Sequence, residues 1–435
     1  MLHEIGIHNI DDLFSDIPEK IRQHRLNLPE GQSQQHVEEH LRTLAQKNIP
    51  YTTVPSFLGG QVQPHYIPAL VKNILSRGEF YTAYTPYQAE ASQGFLQAMF
   101  EYQSIIADLT GMDIANASLY DASTALGEAA LMCARATKRN TFLIPKNISW
   151  EKKSVLKNYT KGAALTIKEI PYDTTTGKIN LEALENALNP EVAGLYVENP
   201  NFFGIFEDDV ETINTLVKKH HSLFVTGIDP FSLGLMKNPG EYGADIVIGE
   251  GRGLGTPMDF GGIGLGVFAC TKDLVRQLPG RIIGMTKDAR GRQAYCMTLQ
   301  TREQHIRRAK ATSNICSNEG LCAIAAVVYL SWLGGTGLEE LGKTNLERGQ
   351  QLSEHLTKIK GFSRRFTGSH FNEFVLHYKG NIQHLHTHLL KKGIQGGISL
   401  EHWYPELKNC LLFGITELHT QQHIDALLAA MNEVN

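Results

Sequence analysis

Short, wholly apolar strands alternate with amphipathic helices through the middle of this chain, and this alternation constrains the fold more than any other feature. The predicted strands are 141–144, 193–197, 223–227 and 246–249, and the predicted helices are 95–110, 123–136, 181–188 and 208–221. Strands without a polar face must be covered on both sides, which is typical of a mostly parallel sheet between two layers of helices. The sequence therefore predicts an α/β fold with its ligand site at the carboxyl ends of the strands.

The length of 435 residues predicts more than one domain, because a single hydrophobic core seldom grows this large. We predict an N-terminal helical arm over 1–60, a large domain over 61–330 and a small C-terminal α/β domain over 331–435. The apolar segment 321–333 lies near the last boundary and is shorter than the roughly 20 residues of a membrane-spanning helix. We predict that it forms a buried helix ending at Gly334 and Gly335.

Composition argues against several classes of protein. The 41 basic and 45 acidic residues give a net charge of −4, so no basic excess indicates nucleic-acid binding. The six cysteines form no CxxC pair, which indicates free thiols in a reducing cytosol. The first twenty residues carry early acids and no apolar core of signal length, so we expect a cytoplasmic protein.

The glycine-rich stretch 249-GEGRGLGTPMDFGGIGLG-266 follows an apolar strand, as a nucleotide-binding loop would. A dinucleotide fingerprint needs GxGxxG at the start of a helix, and here Thr256-Pro257 follows with no clear helix. A second motif, His36, Glu39 and His40, has the HxxEH spacing of a zinc site but no evident third ligand, so a solvated helix face is the better interpretation. We therefore predict no nucleotide loop and no metal site.

Polar and aromatic side chains crowd together in 81-YTAYTPYQAEASQG-94, just before a predicted helix. A core segment would need a buried partner for each of these polar groups, and a disordered linker seldom holds so many aromatic residues. The stretch is predicted to be a binding or interface loop, with a purely structural loop as the alternative.

Two acidic residues lie where a ligand could bind. Asp229 follows the strand 223–227, either facing a ligand or serving as a turn residue before Pro230. Asp121 precedes a helix whose free N–H groups could bind phosphate, but its carboxylate would take those groups as a cap and repel an anion.

In this order, several segments resemble pyridoxal-phosphate enzymes of the aspartate-aminotransferase fold (fold type I), and most closely the P-protein of the glycine cleavage system. They are 56-SFLGG-60, 65-HYIP-68, 84-YTPYQAEASQG-94, 111-GMDIANASLYDAST-124, 198-ENPNFFG-204, 240-GEYGADIVIGEGRGLGTP-257 and 300-QTREQHIRRAKATSNICSN-318. The resemblance covers nearly the whole chain and is to the first of two homologous subunits in split P-proteins. Ile263, Ser123 and the stretch 59-GGQVQP-64 depart from that pattern.

The resemblance implies that the site in this chain is a relic. The lysine that forms the Schiff base with the cofactor in the second subunit corresponds here to about Arg252, and arginine stays protonated and cannot form that bond. Asp229 corresponds to the acid that pairs with the pyridinium nitrogen. Pyridoxal phosphate is accordingly expected on the partner subunit.

The resemblance also implies a function. The chain would pair with a lysine-bearing homologue as α2β2, decarboxylate glycine and pass the aminomethyl group to the lipoyl group of the H-protein. Residues expected to reach into the partner's site are Tyr84, Thr85, Tyr87, Gln88, Glu90, Ser92 and Gln93. Two alternatives stay open: a non-catalytic scaffold subunit, and a self-sufficient pyridoxal-phosphate enzyme that uses a lysine elsewhere, such as Lys272 or Lys287.

Overall fold

A computed structural model describes residues 1–23, 25–50, 52–317 and 319–434. The chain divides into two compact units, Met1–Thr53 and Val54–Asn435. The three-part division drawn from the sequence stays a prediction.

In the unit Met1–Thr53, a regular α-helix forms over α1, Gln34–Ala45, where Ser33 caps the first turn by accepting a hydrogen bond from the His36 backbone N–H. Short 3-10 turns occupy His3–Ile5, Ile10–Phe14 and Glu19–Ile21. Ahead of α1, the described residues of the predicted helical arm form these short 3-10 turns and no α-helix. Gly6 ends the first turn with φ +73°, and Pro18 and Pro29 cannot donate the hydrogen bonds of a longer helix.

The large sheet of the second unit has seven strands in the order β1-β7-β6-β5-β4-β2-β3. The strands are β1 Ile114–Ala115, β2 Thr141–Pro145, β3 Thr166–Ile170, β4 Val192–Asn199, β5 Leu223–Ile228, β6 Ile246–Glu250 and β7 Gly266–Cys270. Strands β3, β2, β4, β5 and β6 are parallel, whereas β7 runs antiparallel to β6 and β1 antiparallel to β7. The predicted mostly parallel sheet is confirmed.

Helices cover both faces of this sheet. The helices between residues 69 and 307 are α2 Ala69–Leu75, α3 Gly78–Tyr81, α4 Gln93–Thr110, α5 Ala122–Thr137, α6 Trp150–Lys161, α7 Leu181–Ala187, α8 Val210–Lys219 and α9 Gln304–Arg307. Helix α4 ends at Gly111, whose φ of +67° is the left-handed conformation that glycine adopts most easily. Helix α7 begins at Asn180, whose side chain accepts the Ala183 N–H at 2.8 Å.

Apolar side chains of the strands alternate between two cores, one on each face. Leu195 and Val197 of β4 lie in the core that contains α4, whereas Tyr196 between them lies in the core that contains α5. All three are essentially inaccessible to solvent. Burial on both faces explains why these strands carry no polar alternation in the sequence.

A four-stranded antiparallel sheet, in the order β10-β11-β13-β12, forms the C-terminal part. Its strands are β10 Phe362–Arg364, β11 Glu373–Tyr378, β12 Ile398–Ser399 and β13 Cys410–Gly414, with helices α11 Ile382–Lys391 and α12 Gln421–Asn432. A separate hairpin, β8 Ile282–Lys287 with β9 Gln293–Thr298, lies between β7 and α9.

Helix α10, Gly320–Thr357, corrects the prediction that a helix ends at Gly334 and Gly335. Gly334 adopts φ +66° and ψ 177°, so the helix kinks there, but a second amphipathic segment continues it to Thr357. By length and composition alone α10 could cross a membrane, yet half of its most apolar window is buried inside this fold. Its first half packs in the core against α4.

Candidate functional site

A cavity of about 60 Å³ lies at the carboxyl ends of β4, β5 and β6, where a parallel sheet ordinarily binds its ligand. Its charged and polar lining residues include Gln61, Gln63, His65, Lys152, Glu198, Asn201, Asp229, Glu250, Arg252 and Glu373. Both predicted relic-site residues, Asp229 and Arg252, are brought together here.

Asp229 follows β5 and is held by the turn that it begins. Its Oδ1 accepts the Phe231 backbone N–H at 2.8 Å, so Asp229 is a turn residue that also lines the cavity. Burial raises the pKa of Asp229, and the nearby charge of His65 opposes that rise. The His65 ring stacks on Phe231 at 3.8 Å between centroids, and its Nδ1 lies 3.0 Å from Glu417. Burial raises the pKa of Glu417, but the hydrogen bond and charge of His65 outweigh it, so the pKa falls below its ordinary value.

Arg252, at the position of the missing lysine, is fixed by its own loop. Its Nη1 donates to the Gly261 carbonyl at 2.8 Å, and its Nη2 lies 3.4 Å from Glu250 Oε2. The Nε atom is buried and has no hydrogen-bond partner among the described residues. The guanidinium therefore stands beside the cavity as a fixed cation.

The glycines around Arg252 allow neighbouring rings and backbone to pack closely against this loop. A Cβ on Gly253 would lie 2.8 Å from the Phe231 ring and 2.9 Å from the His65 ring, and one on Gly255 would lie 2.9 Å from a carbonyl of α10. The Gly255 backbone also has a φ of +92°, which side-chain-bearing residues rarely adopt. No α-helix begins within 249–266, where a 3-10 turn occupies Asp259–Gly261.

A buried ion pair that the sequence did not predict lies in the same cavity. Lys152 of α6 donates to Glu198 at the end of β4, and Glu198 also accepts the Tyr196 hydroxyl at 2.8 Å. Lys152 donates a second hydrogen bond to the Gln61 side-chain oxygen at 2.6 Å. The Glu198 side chain is 2% exposed, and its Oε2 has no partner among the described residues.

Two carboxylates occupy the N-terminus of α5. The Thr124 N–H donates to Asp121 Oδ1 at 2.7 Å, as the capping prediction requires, and the Ala122 N–H donates to Glu250 Oε2 at 3.2 Å. Glu250 Oε1 accepts two further backbone N–H groups, and burial raises the pKa of this carboxyl. A phosphate could not bind these N–H groups, because the two carboxylates already accept their hydrogen bonds and would repel an anion.

These groups do not fit pyridoxal phosphate bound in this chain. Lys152, the lysine among the described residues that line the cavity, is already paired with Glu198. The carboxylates of Asp121 and Glu250 take the helix N–H groups that would hold a phosphate.

The loop 84–93 does not line this cavity. The side chains of Tyr84 and Tyr87 are 74% and 59% exposed, and Gln88 and Glu90 are also exposed, whereas Thr85 and Ser92 are half-buried. Gln93 is committed within its own chain. Its Nε2 donates to the Tyr295 carbonyl at 2.8 Å and its Oε1 accepts the Tyr295 N–H at 2.9 Å, which ties the loop to β9.

A basic segment adjoins this loop. The Tyr87 ring meets the His305 ring edge-on, with 6.1 Å between centroids, and both line a surface hollow with Arg281 and Arg302. The segment belongs to the motif 300–318, which the sequence analysis used only for the resemblance. The basic character of the segment is visible in the sequence, because nine residues that include one acid contain Arg302, Arg307, Arg308 and Lys310. Lys272 and Lys287, the alternative cofactor lysines, are exposed and do not line the cavity at the strand ends.

Comparison with known proteins gives consistent results. The sequence model of the family described as "Glycine cleavage system P-protein" matches residues 1–431. A probable glycine dehydrogenase (decarboxylating) subunit 1 of Thermococcus onnurineus is 48% identical over 436 residues, covering 100% of this chain and 97% of that relative. The protein with the same description from Moorella thermoacetica is 47% identical, with coverages of 100% and 97%.

Solved structures agree with the sequences. A crystal structure of glycine decarboxylase (P-protein) of the glycine cleavage system, in inhibitor-bound form, superposes with a TM-score of 0.91 at 40% identity, covering 100% of this chain and 97% of that one. A sphingosine-1-phosphate lyase of Burkholderia pseudomallei shares the fold alone, with a TM-score of 0.67 at 13% identity and coverages of 95% and 93%. The predicted fold class, that of fold type I pyridoxal-phosphate-dependent transferases, is confirmed.

Proposed function

This chain belongs to the glycine cleavage system P-protein family, and on that premise we propose that it is the subunit of a glycine dehydrogenase (decarboxylating) that lacks the cofactor lysine and completes the active site of a lysine-bearing homologue. The observation that carries the proposal is Arg252. It lies just after β6 and, like Asp229, lines the cavity, and its guanidinium is fixed by Glu250 and Gly261. A chain arranged in this way needs a second subunit for covalent chemistry on the cofactor.

The reaction removes CO2 from glycine and transfers the aminomethyl group to the lipoyl group of the H-protein. Pyridoxal phosphate, held by the partner subunit, supplies the electron sink for the pair of electrons that CO2 leaves behind. This chain contributes binding and orientation through the loop 84–93. The Tyr84 hydroxyl serves as a neutral donor toward the glycine carboxylate, and Glu90 orients neighbouring groups.

The exposure of the loop supports this role. Tyr84, Tyr87, Gln88 and Glu90 face outward, so their polar groups are available to another chain. Gln93 holds the loop in place by its two hydrogen bonds to Tyr295. A loop fixed at its base and polar at its tip suits a site that is shared between subunits.

The partner is proposed to be the homologous lysine-bearing subunit, in an α2β2 assembly in the cytoplasm. Large apolar side chains exposed on one stretch of the surface support a protein interface: Phe260 is fully exposed, Ile263 is 52% exposed and Tyr120 is 44% exposed. Phe260 also holds a φ of +53°, an unfavourable conformation for a side chain of its size, in a loop that presents its ring to solvent.

Co-expression of this chain with its lysine-bearing homologue tests the proposal. The assembled complex is expected to exchange labelled bicarbonate with the carboxyl group of glycine, while this chain alone shows no exchange. Full exchange activity in the homologue by itself would favour the scaffold alternative. Exchange by this chain alone would instead support the self-sufficient enzyme.

A further inference from the structure

The basic segment, residues 302–312, presents exposed cations beside the loop 84–93. Three of these cations form no ion pair with any described residue: Arg307, Arg308 and Lys310. The one acid of the segment, Glu303, is only 14% exposed and lies 3.9 Å from Arg281 and 3.6 Å from His305. Like charges held together on a surface repel one another unless an oppositely charged group covers them. The segment therefore carries a positive charge that faces solvent.

Hydrogen bonds at its base anchor this segment. The Thr312 N–H donates to the Arg302 carbonyl at 3.0 Å, which closes the segment into a loop. The Arg302 guanidinium donates to the carbonyls of Gly280 at 3.1 Å and Leu299 at 3.2 Å. The exposed cations therefore belong to an anchored loop, which lowers the ordering cost of binding a partner.

The positive charge extends over more than one hollow. The hollow that Tyr87 and His305 line shares Arg302 and Thr312 with a second hollow, and none of the described residues that line the second hollow is acidic. Ile306, within the same segment, is 49% exposed. An apolar side chain flanked by exposed cations is typical of a protein-binding surface and is more than one small anion would need. These exposed residues form the basic surface: Arg276, Ile306, Arg307, Arg308 and Lys310.

A surface this rich in charge suits a partner that binds briefly. Permanent subunit interfaces are mostly apolar, and charged residues are depleted from their centres. Opposite charges on two proteins raise the rate at which they meet, and salt weakens that effect. The exposed apolar residues Phe260 and Ile263 suit the permanent partner, whereas the basic surface suits an acidic protein that arrives and leaves during each turnover.

The position of the basic surface points to one such protein. The Tyr87 ring contacts the His305 ring, so the loop 84–93 and the basic segment lie side by side. The loop is proposed to complete the partner's site, and the lipoyl group must reach that site to take the aminomethyl group. The protein that carries the lipoyl group must therefore dock close to the loop.

We propose that the basic surface docks an acidic face of the lipoyl-bearing H-protein and so directs its lipoyl group past the loop 84–93. The inference rests on the proposed function, because it requires a complex that transfers the aminomethyl group to this carrier. Arg276, Arg307 and Lys310 bind the carrier protein in this arrangement and touch neither glycine nor the cofactor. They act on the affinity for the carrier and not on the chemical step.

Steady-state kinetics of the assembled complex test the proposal with two acceptors, lipoylated H-protein and free lipoamide, which has no protein surface. The triple variant Arg276→Gln, Arg307→Gln and Lys310→Gln is expected to raise the KM for H-protein about tenfold or more, with kcat unchanged. Its rate with free lipoamide should equal that of the wild type. Added sodium chloride should raise the KM of the wild type for H-protein more steeply than that of the variant, because fewer charge pairs remain to be screened in the variant.

A matched control removes three exposed cations that do not line these hollows: Lys219, Arg364 and Lys391. Their replacement by glutamine changes the net charge of the chain by the same amount, so the KM for H-protein should stay within about twofold of the wild-type value. An equal rise of KM in both triple variants would show that net charge acts and not this surface, and would overturn the proposal.

Other results would also contradict the proposal. An unchanged KM in the first variant would mean that the carrier docks elsewhere. Loss of assembly on gel filtration, or an equal loss of rate with free lipoamide, would assign the segment to the interface with the homologous subunit or to its active site. Inactivity of the wild-type complex with both acceptors would instead overturn the proposed function, and the inference with it.

Discussion

Replacement of Glu373 by glutamine is expected to remove a loss of stability that the wild-type chain suffers as pH rises. Burial raises the pKa of this carboxyl from 4.5 to about 7, and the negative charge of Asp229 adds to the rise, although hydrogen bonds from Gln61 and Gln63 oppose it. Between these two pH values the folded chain binds more protons than the unfolded chain. Stability is therefore fully present below about pH 4.5 and falls until pH exceeds about 7.

The size of the effect follows from the two pKa values. A tenfold change in proton affinity corresponds to about 1.4 kcal/mol, so the shift from 4.5 to about 7 corresponds to about 3 kcal/mol of unfolding free energy. A glutamine keeps an oxygen for the two donors and carries no charge at any pH. The unfolding free energy of Glu373→Gln, relative to that of the wild type, should therefore increase by about this amount between pH 4.5 and about pH 7.

Urea unfolding of both proteins at several pH values measures the effect. Carboxyls that do not interact with Glu373, such as Glu207, titrate alike in both chains, so their contributions cancel in the difference. The difference in unfolding free energy should be smallest near pH 4.5 and level off above pH 7. Parallel stability curves across that window would refute the argument that Glu373 is protonated in the folded chain.

Three further predictions concern the loop and the assembly. In the complex, Tyr84→Phe and Glu90→Gln should each reduce glycine–bicarbonate exchange about tenfold or more while gel filtration shows unchanged assembly, and full activity in both would make the loop structural. Gln93→Ala should lower the unfolding free energy by about 1–3 kcal/mol, because it strips both hydrogen bonds from the Tyr295 backbone; an unchanged urea midpoint would contradict this. The isolated chain should self-associate on gel filtration, since exposed apolar side chains such as Phe260 lack their partner, and a stable monomer that ignores the homologue would argue against α2β2.

Much of the fold was predictable because local signals agreed with tertiary packing. The ends of the four apolar strands were predicted to within two residues, and the helices predicted over 95–110 and 181–188 are found at Gln93–Thr110 and Leu181–Ala187. Gly334 misled the prediction, because a glycine at φ +66° can kink a helix whose next turns are held by packing as easily as it can end one. Strand β7 was not predicted, because it directly follows the glycine-rich stretch and no alternation of apolar and polar residues is visible there.

The site was predictable in part. Asp229 could be placed because it follows a parallel strand, and the ends of neighbouring strands meet at one sheet edge. Arg252 was placed through the resemblance to the P-protein family. Lys152 could not be placed, because it lies in α6, and only the packing of that helix against the sheet brings its ammonium to Glu198. A lysine on a charged helix is far more often a solvated residue than a buried one.

Mapping the cofactor in the assembled complex tests the central claim most directly. The complex of this chain with its lysine-bearing homologue is reduced with borohydride, digested, and searched by mass spectrometry for the lysine that carries the pyridoxyl group. We expect the modified lysine on the homologue and an unmodified copy of this chain, in which Arg252 lines the cavity and carboxylates take the helix N–H groups that would hold a phosphate. A pyridoxyl group on Lys152, or on any other lysine of this chain, at one per copy would contradict the account.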